Sequence, residues 1–279
     1  MTLAGCSTLD AVNAIQPKGA VSVTRGQAYG DGPRQKIDIY TPRRMAAPSA
    51  VVVFFYGGGW ETGDRADYAF VGAALAARGY VVMVPDYRLY PQVKWPAFLQ
   101  DSAEAVRWAK GHAGDYGGDP QRVVLMGHSA GAYNAAMLAL DDQWLNAVGL
   151  DPARDIAALV GLAGPYDFLP LRSETLKAVF GPEPSRAATQ PINQTAQGAP
   201  PTWLGTGDAD KVVLPRNTER LAAKLRASGV PVETRLYPRL GHALMVGAFA
   251  IPFRFTAPVM KDVVAFLDAQ TAPTTRMNP

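Results

Sequence analysis

The residues most able to do chemistry are Gly127-His128-Ser129-Ala130-Gly131, a Gly-x-Ser-x-Gly pentapeptide. Arg122-Val123-Val124-Leu125-Met126 before it is apolar and partly β-branched, so it reads as a buried strand. Ala132 to Leu140 after it is a strong helix former. A strand turning sharply into a helix forces its corner residue into a strained conformation, and the flanking glycines leave room for the turn while lifting the serine hydroxyl clear. The new helix also directs free N–H groups and its positive dipole end at the space above the serine. The chemistry this suits is acyl transfer through an activated hydroxyl.

A hydroxyl is a poor nucleophile alone, so a base and a group to orient that base are required. The chain has three histidines. His128 lies inside the elbow, where its ring cannot easily turn back to the serine oxygen, and suits local packing or hydrogen bonding. His112 ends a helical stretch. His242, in Leu240-Gly241-His242-Ala243, occupies a loop after the strand-like Pro231 to Pro238, and by elimination and context is the base. Between serine and histidine, the strand-like Pro201 to Thr206 runs into Gly207-Asp208-Ala209-Asp210. Asp208 and Asp210 both sit at the carboxyl end of that strand, where open α/β sheets gather site residues; either could orient the histidine, and either could instead serve as turn chemistry.

A developing oxyanion needs fixed donors. Ala50 to Phe55 is the clearest buried strand, and it runs into Tyr56-Gly57-Gly58-Gly59-Trp60. Successive glycines let the backbone pass close to a substrate with its N–H groups turned inward, each donor typically worth about 3 kcal/mol. Gly58 and Gly59 are the expected donors, joined by the Ala130 N–H. The loop lacks the Lys-Ser/Thr ending of a P-loop and the Gly-x-Gly-x-x-Gly spacing of a dinucleotide site.

Together these motifs resemble the α/β-hydrolase fold, and within it the serine carboxylesterases of the hormone-sensitive-lipase-like and bacterial feruloyl- or xylan-esterase-like group. The resemblance covers roughly residues 25 to 270. Asp86-Tyr87-Arg88-Leu89, Pro96-Ala97, Tyr116-Gly117-Gly118-Asp119-Pro120 and Gly207-Asp208-Ala209-Asp210 look like recurrent phrases of that group. The resemblance favours Asp210 as the acid, because its place just before Val212-Val213-Leu214-Pro215 matches the acid of related enzymes; Asp208 then braces the loop. One position departs from the pattern. The glycine loop of that group usually begins with a histidine that braces it, and here the residue is Tyr56, which puts the loop's hydrogen bonding in question more than the mechanism.

These residues must be positioned by an α/β frame. Val21–Val23 and Lys36–Tyr40 alternate like antiparallel edge strands around a Gly30-Asp31-Gly32-Pro33 turn. From Val51 the rhythm is strand and helix in alternation: strands at 51–55, 80–84, 122–126, 156–162, 201–206 and 231–237, helices at 66–78, 97–112, 130–140, 215–228 and 257–269. That alternation implies a mostly parallel sheet with helices on both faces. Residues 21–279 read as a single domain. Pro165 to Pro200 interrupts the rhythm and reads as a small cap over the site, together with the Asp141–Asp155 loop and the N-terminal residues. Trp60, Tyr133, Tyr166, Phe168 and Leu244 are candidate pocket walls.

At 279 residues, 48% hydrophobic and 18% charged, the chain is long enough for one large core. A net charge of +3 without a long basic run gives no support for nucleic-acid binding. No apolar run is long enough for a transmembrane helix. A single cysteine excludes an intrachain disulfide, and no paired Cys/His cluster suggests a metal. That cysteine lies in Leu3-Ala4-Gly5-Cys6, which has the form of a bacterial lipobox without its charged and apolar leader. Residues 1–20 would then be a tether of a periplasmic or membrane-anchored lipoprotein, while the chain beginning at Met1 as written reads as soluble.

The expectation is therefore a metal- and cofactor-independent hydrolase of short-acyl carboxylic esters, with a small-molecule ester as partner and Ser129, His242 and Asp210 as its triad. Only the neutral imidazole is a base, so activity should rise from acid toward neutral pH. An amide or formamide hydrolase on the same scaffold is the nearer alternative, since the triad alone does not separate the two chemistries. A ligand-binding protein that kept the fold and lost catalysis is the more distant one.

Overall fold

A computed structural model describes residues 12–13, 19–195 and 197–272; Cys6 and most of the expected tether lie outside the described residues. Eight strands form one sheet: β1 Val21–Ala28, β2 Lys36–Pro42, β3 Ser49–Phe55, β4 Val81–Pro85, β5 Gly118–His128, β6 Ala158–Leu162, β7 Thr202–Gly207 and β8 Val232–Tyr237, in spatial order β1-β2-β4-β3-β5-β6-β7-β8. The β1/β2 and β2/β4 pairs are antiparallel and all the others parallel. Every residue of β4, β6 and β7 is buried. Since successive side chains point to opposite faces, both faces of the central sheet are covered.

The helices are α1 Ala69–Ala76, α2 Ala97–Gly111, α3 Ala130–Leu140, α4 Gln143–Asn146, α5 Pro152–Asp155, α6 Glu174–Phe180, α7 Arg216–Ala227, α8 His242–Gly247 and α9 Val259–Gln270. Every residue of α3 is buried, including its small alanines, so it lies inside the core rather than on it. In α7, by contrast, Leu221, Ala222 and Leu225 form a buried stripe on an otherwise polar helix.

Four local expectations are adjusted. The first helix begins at Ala69 rather than 66 because Asp64 and Asp67 bind the backbone: the Ala66 N–H donates to Asp64 Oδ1 at 2.8 Å and the Asp64 N–H to Asp67 Oδ2 at 3.1 Å. Strand β5 starts earlier than 122, because Gly118 and Asp119 already pair with Ser49 and Ala50 before a register shift. The 165–200 segment contains α6 and 3-10 turns at Glu183–Thr189 and Pro191–Asn193. Finally, His242 is the first residue of a short helix, not a loop residue: Gly241 is extended, and its carbonyl receives the Met245 N–H at 3.3 Å.

Candidate active site

Strand β5 ends at His128 and α3 begins at Ala130, leaving Ser129 alone at the corner with φ 55° and ψ −123°. A non-glycine residue at positive φ is strained and persists only where the surroundings hold it. They do: the Ser129 N–H donates to Leu162 O at 2.9 Å, and the Ser129 carbonyl accepts from Tyr133 N–H at 3.1 Å. The neighbouring glycines are required by contact. A Cβ on Gly131 would stand 2.0 Å from Phe55 O, and one on Gly127 would stand 2.3 Å from the Gly131 carbonyl carbon.

From beyond the ends of β7 and β8 come the candidate acid and base. Ser129 Oγ lies 2.9 Å from Nε2 of His242, whose Nδ1 lies 2.7 Å from Asp210 Oδ2. An ionised carboxylate only accepts, so Nδ1 carries the proton and Nε2 is left to accept from the serine hydroxyl. The other oxygen of Asp210 accepts the N–H groups of Val212 and Val213, both at 2.9 Å. Burial pushes the Asp210 carboxyl up, but the His242 bond and the two N–H donors outweigh it and hold the group below its usual value. The side chain of Asp210 is fully buried and that of His242 is 15% exposed, so the imidazole retains access to the outside. A hydroxyl aligned on an imidazole that is itself held by a carboxylate can act as a nucleophile. Asp208 is elsewhere: exposed, it accepts the Arg239 N–H at 2.6 Å and braces the turn after β8.

The glycine loop runs directly against this corner; a Cβ on Gly57 would lie 2.9 Å from Ser129 Cβ. Gly58 and Gly59 have φ of 130° and 64°, and the Gly58 carbonyl accepts the N–H groups of Glu61 and Thr62, closing the loop into a turn. Among the described residues, the N–H groups of Gly58, Gly59 and Ala130 donate to no protein acceptor. That leaves them available to an incoming oxygen. Among the described residues there is no group of three His, Cys, Asp or Glu side chains that could hold a metal.

Tyr56 anchors the start of this loop. Its ring stacks between Tyr68 and Tyr87, with centroids at 5.6 and 4.8 Å. Its hydroxyl donates to Asp86 Oδ1 at 3.0 Å and accepts from Arg34 at 2.7 Å, while its carbonyl accepts the Tyr87 hydroxyl at 2.7 Å. Arg34 also reaches the Gly63 carbonyl at 2.7 Å, and Asp86 is paired with Arg65, so both ends of the 56–65 segment converge on one buried carboxylate. Neither Arg34 nor Arg65 was distinguishable by motif; the signal available in sequence was only that Tyr56 replaces the usual histidine.

Of the candidate pocket residues, Trp60, Tyr133 and Phe168 come together. Trp60 meets Tyr133 at 5.1 Å and Phe168 at 6.2 Å, and the cluster also includes Phe180 at 4.8 Å and Phe98 at 5.9 Å. Phe98, on α2, was not a candidate, because nothing in its helical pattern distinguishes it from core. The Tyr133 hydroxyl donates to Thr189 O at 2.6 Å, tying the core helix to the 165–200 segment. Tyr166 stands apart from this cluster, fully buried against Gly161 and Gly164. Leu244 is half-buried, two residues beyond His242. His112 stacks on Trp108 at 4.2 Å, on a different helix from the triad.

His128 has a role that its position in the motif did not specify. Its buried ring lies 4.8 Å from that of His242, and its Nε2 donates to the His242 carbonyl at 3.2 Å. Burial, reinforced by the nearby His242, pushes its pKa down to about 3, against 6.5 ordinarily. Between those values the unfolded chain binds a proton that the native ring refuses. Its contribution is therefore fully present above pH 6.5 and is lost as pH falls toward 3, at up to about 1.4 kcal/mol per pH unit. Denaturation midpoints of the wild-type chain should fall further between neutral pH and mildly acidic pH than those of His128→Gln; equal shifts would exclude this linkage. Tyr56→Phe removes one donor from buried Asp86 and one acceptor from Arg34, at an expected cost of about 1–3 kcal/mol. A calorimetric melting temperature equal to that of the wild type would show that the tyrosine hydroxyl does not hold the loop.

Comparison with known proteins agrees with this geometry. The BD-FAE family model matches residues 37–225, more than half of the chain. A probable isoprenylcysteine alpha-carbonyl methylesterase of Oryza sativa subsp. japonica is 38% identical over 148 residues, which are 52% of this chain and 36% of that protein; the chain thus spans about a third of that plant relative. Carboxylesterase NlhH of Mycobacterium tuberculosis is 31% identical over 240 residues, 77% of this chain and 73% of its own. A truncated carbohydrate esterase from gut microbiota superposes with a TM-score of 0.81 at 22% identity, covering 92% of this chain and 99% of that one, which establishes the shared α/β-hydrolase fold. With the fold, the matched segment and the relatives in agreement, the chain belongs to the BD-FAE family.

Proposed function

We propose that this protein is a serine carboxylesterase acting on esters with short acyl groups. The observation that carries the reading is the unbroken hydrogen-bonded series Asp210–His242–Ser129, ending on a strained serine beside three free N–H groups. Ser129 Oγ attacks the ester carbonyl as His242 Nε2 takes its proton. The tetrahedral oxyanion is received by the N–H groups of Gly58, Gly59 and Ala130, and collapse expels the alcohol, which takes the proton back from His242. Water then repeats the sequence on the acyl-enzyme and releases the acid. Asp210 fixes the tautomer of His242 and stabilises the imidazolium. The relatives named as esterases support ester rather than amide chemistry.

Acyl size is read from the aromatic cluster. Tyr133 and Phe180 meet Trp60 edge to face, Phe168 stacks on it and Phe98 lies tilted against it, and Trp60 is fixed by its Nε1–H donating to Asn134 Oδ1 at 3.1 Å. Filled aromatic packing next to the glycine loop supports a short pocket rather than a long channel.

Ser129→Ala should reduce hydrolysis of p-nitrophenyl acetate to background; surviving turnover would refute the reading. Asp210→Asn should lower kcat by about three to four orders of magnitude, whereas Asp208→Asn should leave it close to wild type. The reverse pattern would move the acid to Asp208. Across a p-nitrophenyl ester series, the highest kcat/KM should fall at about two to six acyl carbons, since a closed pocket penalises longer chains. An optimum at ten carbons or more would point to a deep channel instead.

A further inference from the structure

Consecutive residues of the glycine loop stand at positive φ: Gly58 at 130°, Gly59 at 64° and Trp60 at 63°. Glycine takes this region freely, but tryptophan does not, so its surroundings must hold it there. Its carbonyl accepts the Tyr90 N–H at 2.8 Å, which fixes the backbone. Its indole is fixed by a series of hydrogen bonds that no step of the acyl-transfer cycle uses.

Trp60 Nε1–H donates to Asn134 Oδ1 at 3.1 Å, Asn134 Nδ2 donates to Ser102 Oγ at 3.3 Å, and the Ser102 hydroxyl donates to Phe98 O at 2.7 Å. An indole nitrogen only donates, so the Asn134 amide has one orientation that satisfies it, and the later bonds follow in a single direction. Trp60, Asn134, Ser102 and Phe98 are all buried, and the asparagine and serine are wholly enclosed. A buried polar group left without its partner is costly, so each member of the series is held by the next. The series begins one residue past an expected oxyanion donor, crosses α3 at Asn134 and ends in the first turn of α2. Tyr133, beside Asn134, meets the same indole edge to face at 5.1 Å. The ring is thus gripped by successive residues of the helix that carries Ser129 at its N-terminal end.

We propose that Asn134 is a positioning residue: by fixing the Trp60 indole, it holds the N–H groups of Gly58 and Gly59 in place against Ser129. The inference rests on the acyl-transfer reading of that serine. Ser129 and Asn134 belong to one rigid helix, and a single side chain ties the glycine loop to it. The Ala130 N–H belongs to α3 itself and keeps its place without this tie. Loss of Asn134 therefore loosens the glycine donors alone. Their task is to meet an oxyanion rather than an uncharged ester, so the loss falls on kcat more than on KM.

Steady-state kinetics of the full chain with p-nitrophenyl acetate test this. Asn134→Leu should lower kcat by about 10- to 100-fold, less than outright removal of a donor, and leave KM within about threefold. Trp60→Phe removes the other partner of the same bond, so the double variant should be no slower than the slower single one. With both polar partners gone, the double variant should also melt above Asn134→Leu while its kcat stays low. An alkyl trifluoromethyl ketone supplies a second readout. Its carbonyl oxygen becomes an oxyanion when Ser129 Oγ adds to the carbonyl carbon and the hydroxyl proton passes to His242. It should bind Asn134→Leu more weakly, by about the factor lost in kcat/KM. Losses that multiply in the double variant, a kcat that recovers with the melting temperature, or an unchanged ketone affinity would each overturn the positioning role. If Asn134→Leu does not fold, the double variant decides alone, and wild-type kcat in it overturns the role. Failure of the underlying reading is distinct: the wild-type chain would itself leave p-nitrophenyl acetate unhydrolysed.

Discussion

Parallel pairing of β3 with β5, with Phe55 opposite Gly127, is the constraint on which the site depends. It makes the two strands end side by side, so Tyr56-Gly57 and His128-Ser129 leave the sheet as neighbours. The approach is close enough that the Phe55 carbonyl occupies the space a side chain on residue 131 would need. A slip of one residue in this register would turn each side chain to the opposite face and separate the donors from the nucleophile. The apolar, buried run Ala50–Phe55 of β3 and the all-buried α3 set that register, since neither can move without exposing core.

The remaining components reach the same point from other strands. β7 delivers Asp210 and the turn after β8 delivers His242, each just beyond the carboxyl end of its strand. The acid is buried yet stays charged because every oxygen has donors, which offset the cost of desolvation. His128 links the two halves: covalently it belongs to the elbow, but its ring holds the backbone of the base. Ser129 and His242 are thereby coupled through a neutral imidazole that performs no proton transfer in the proposed cycle.

Much of this was legible from sequence because it is local. The elbow is five consecutive residues between a strand pattern and a helix pattern, and three histidines leave a short search. The strand and helix series came within a few residues wherever apolar runs were bounded by glycine or proline. What failed to show is what depends on distant partners. Asp208 and Asp210 are two residues apart in one turn, and spacing alone does not decide which side chain turns inward. The helix at His242 has only six residues, too few for a helical period to register. Arg34, Asp86 and Arg65 converge on Tyr56 from three separate segments, and Phe98 enters the aromatic cluster from a helix that otherwise reads as ordinary core.

The anchoring of the 165–200 segment bears on how freely it can move. Besides the Tyr133–Thr189 contact, the side chain of Gln190 accepts the Phe168 N–H at 3.0 Å, and Lys224 on α7 donates to Gln194 O at 2.7 Å. Swinging this segment outward would strip partners from several enclosed polar groups in one step, each loss costing about 1–3 kcal/mol. The segment is therefore held in place by partners that outward movement would have to give up. An oil or lipid surface would have to offset that summed cost before it could lift the segment.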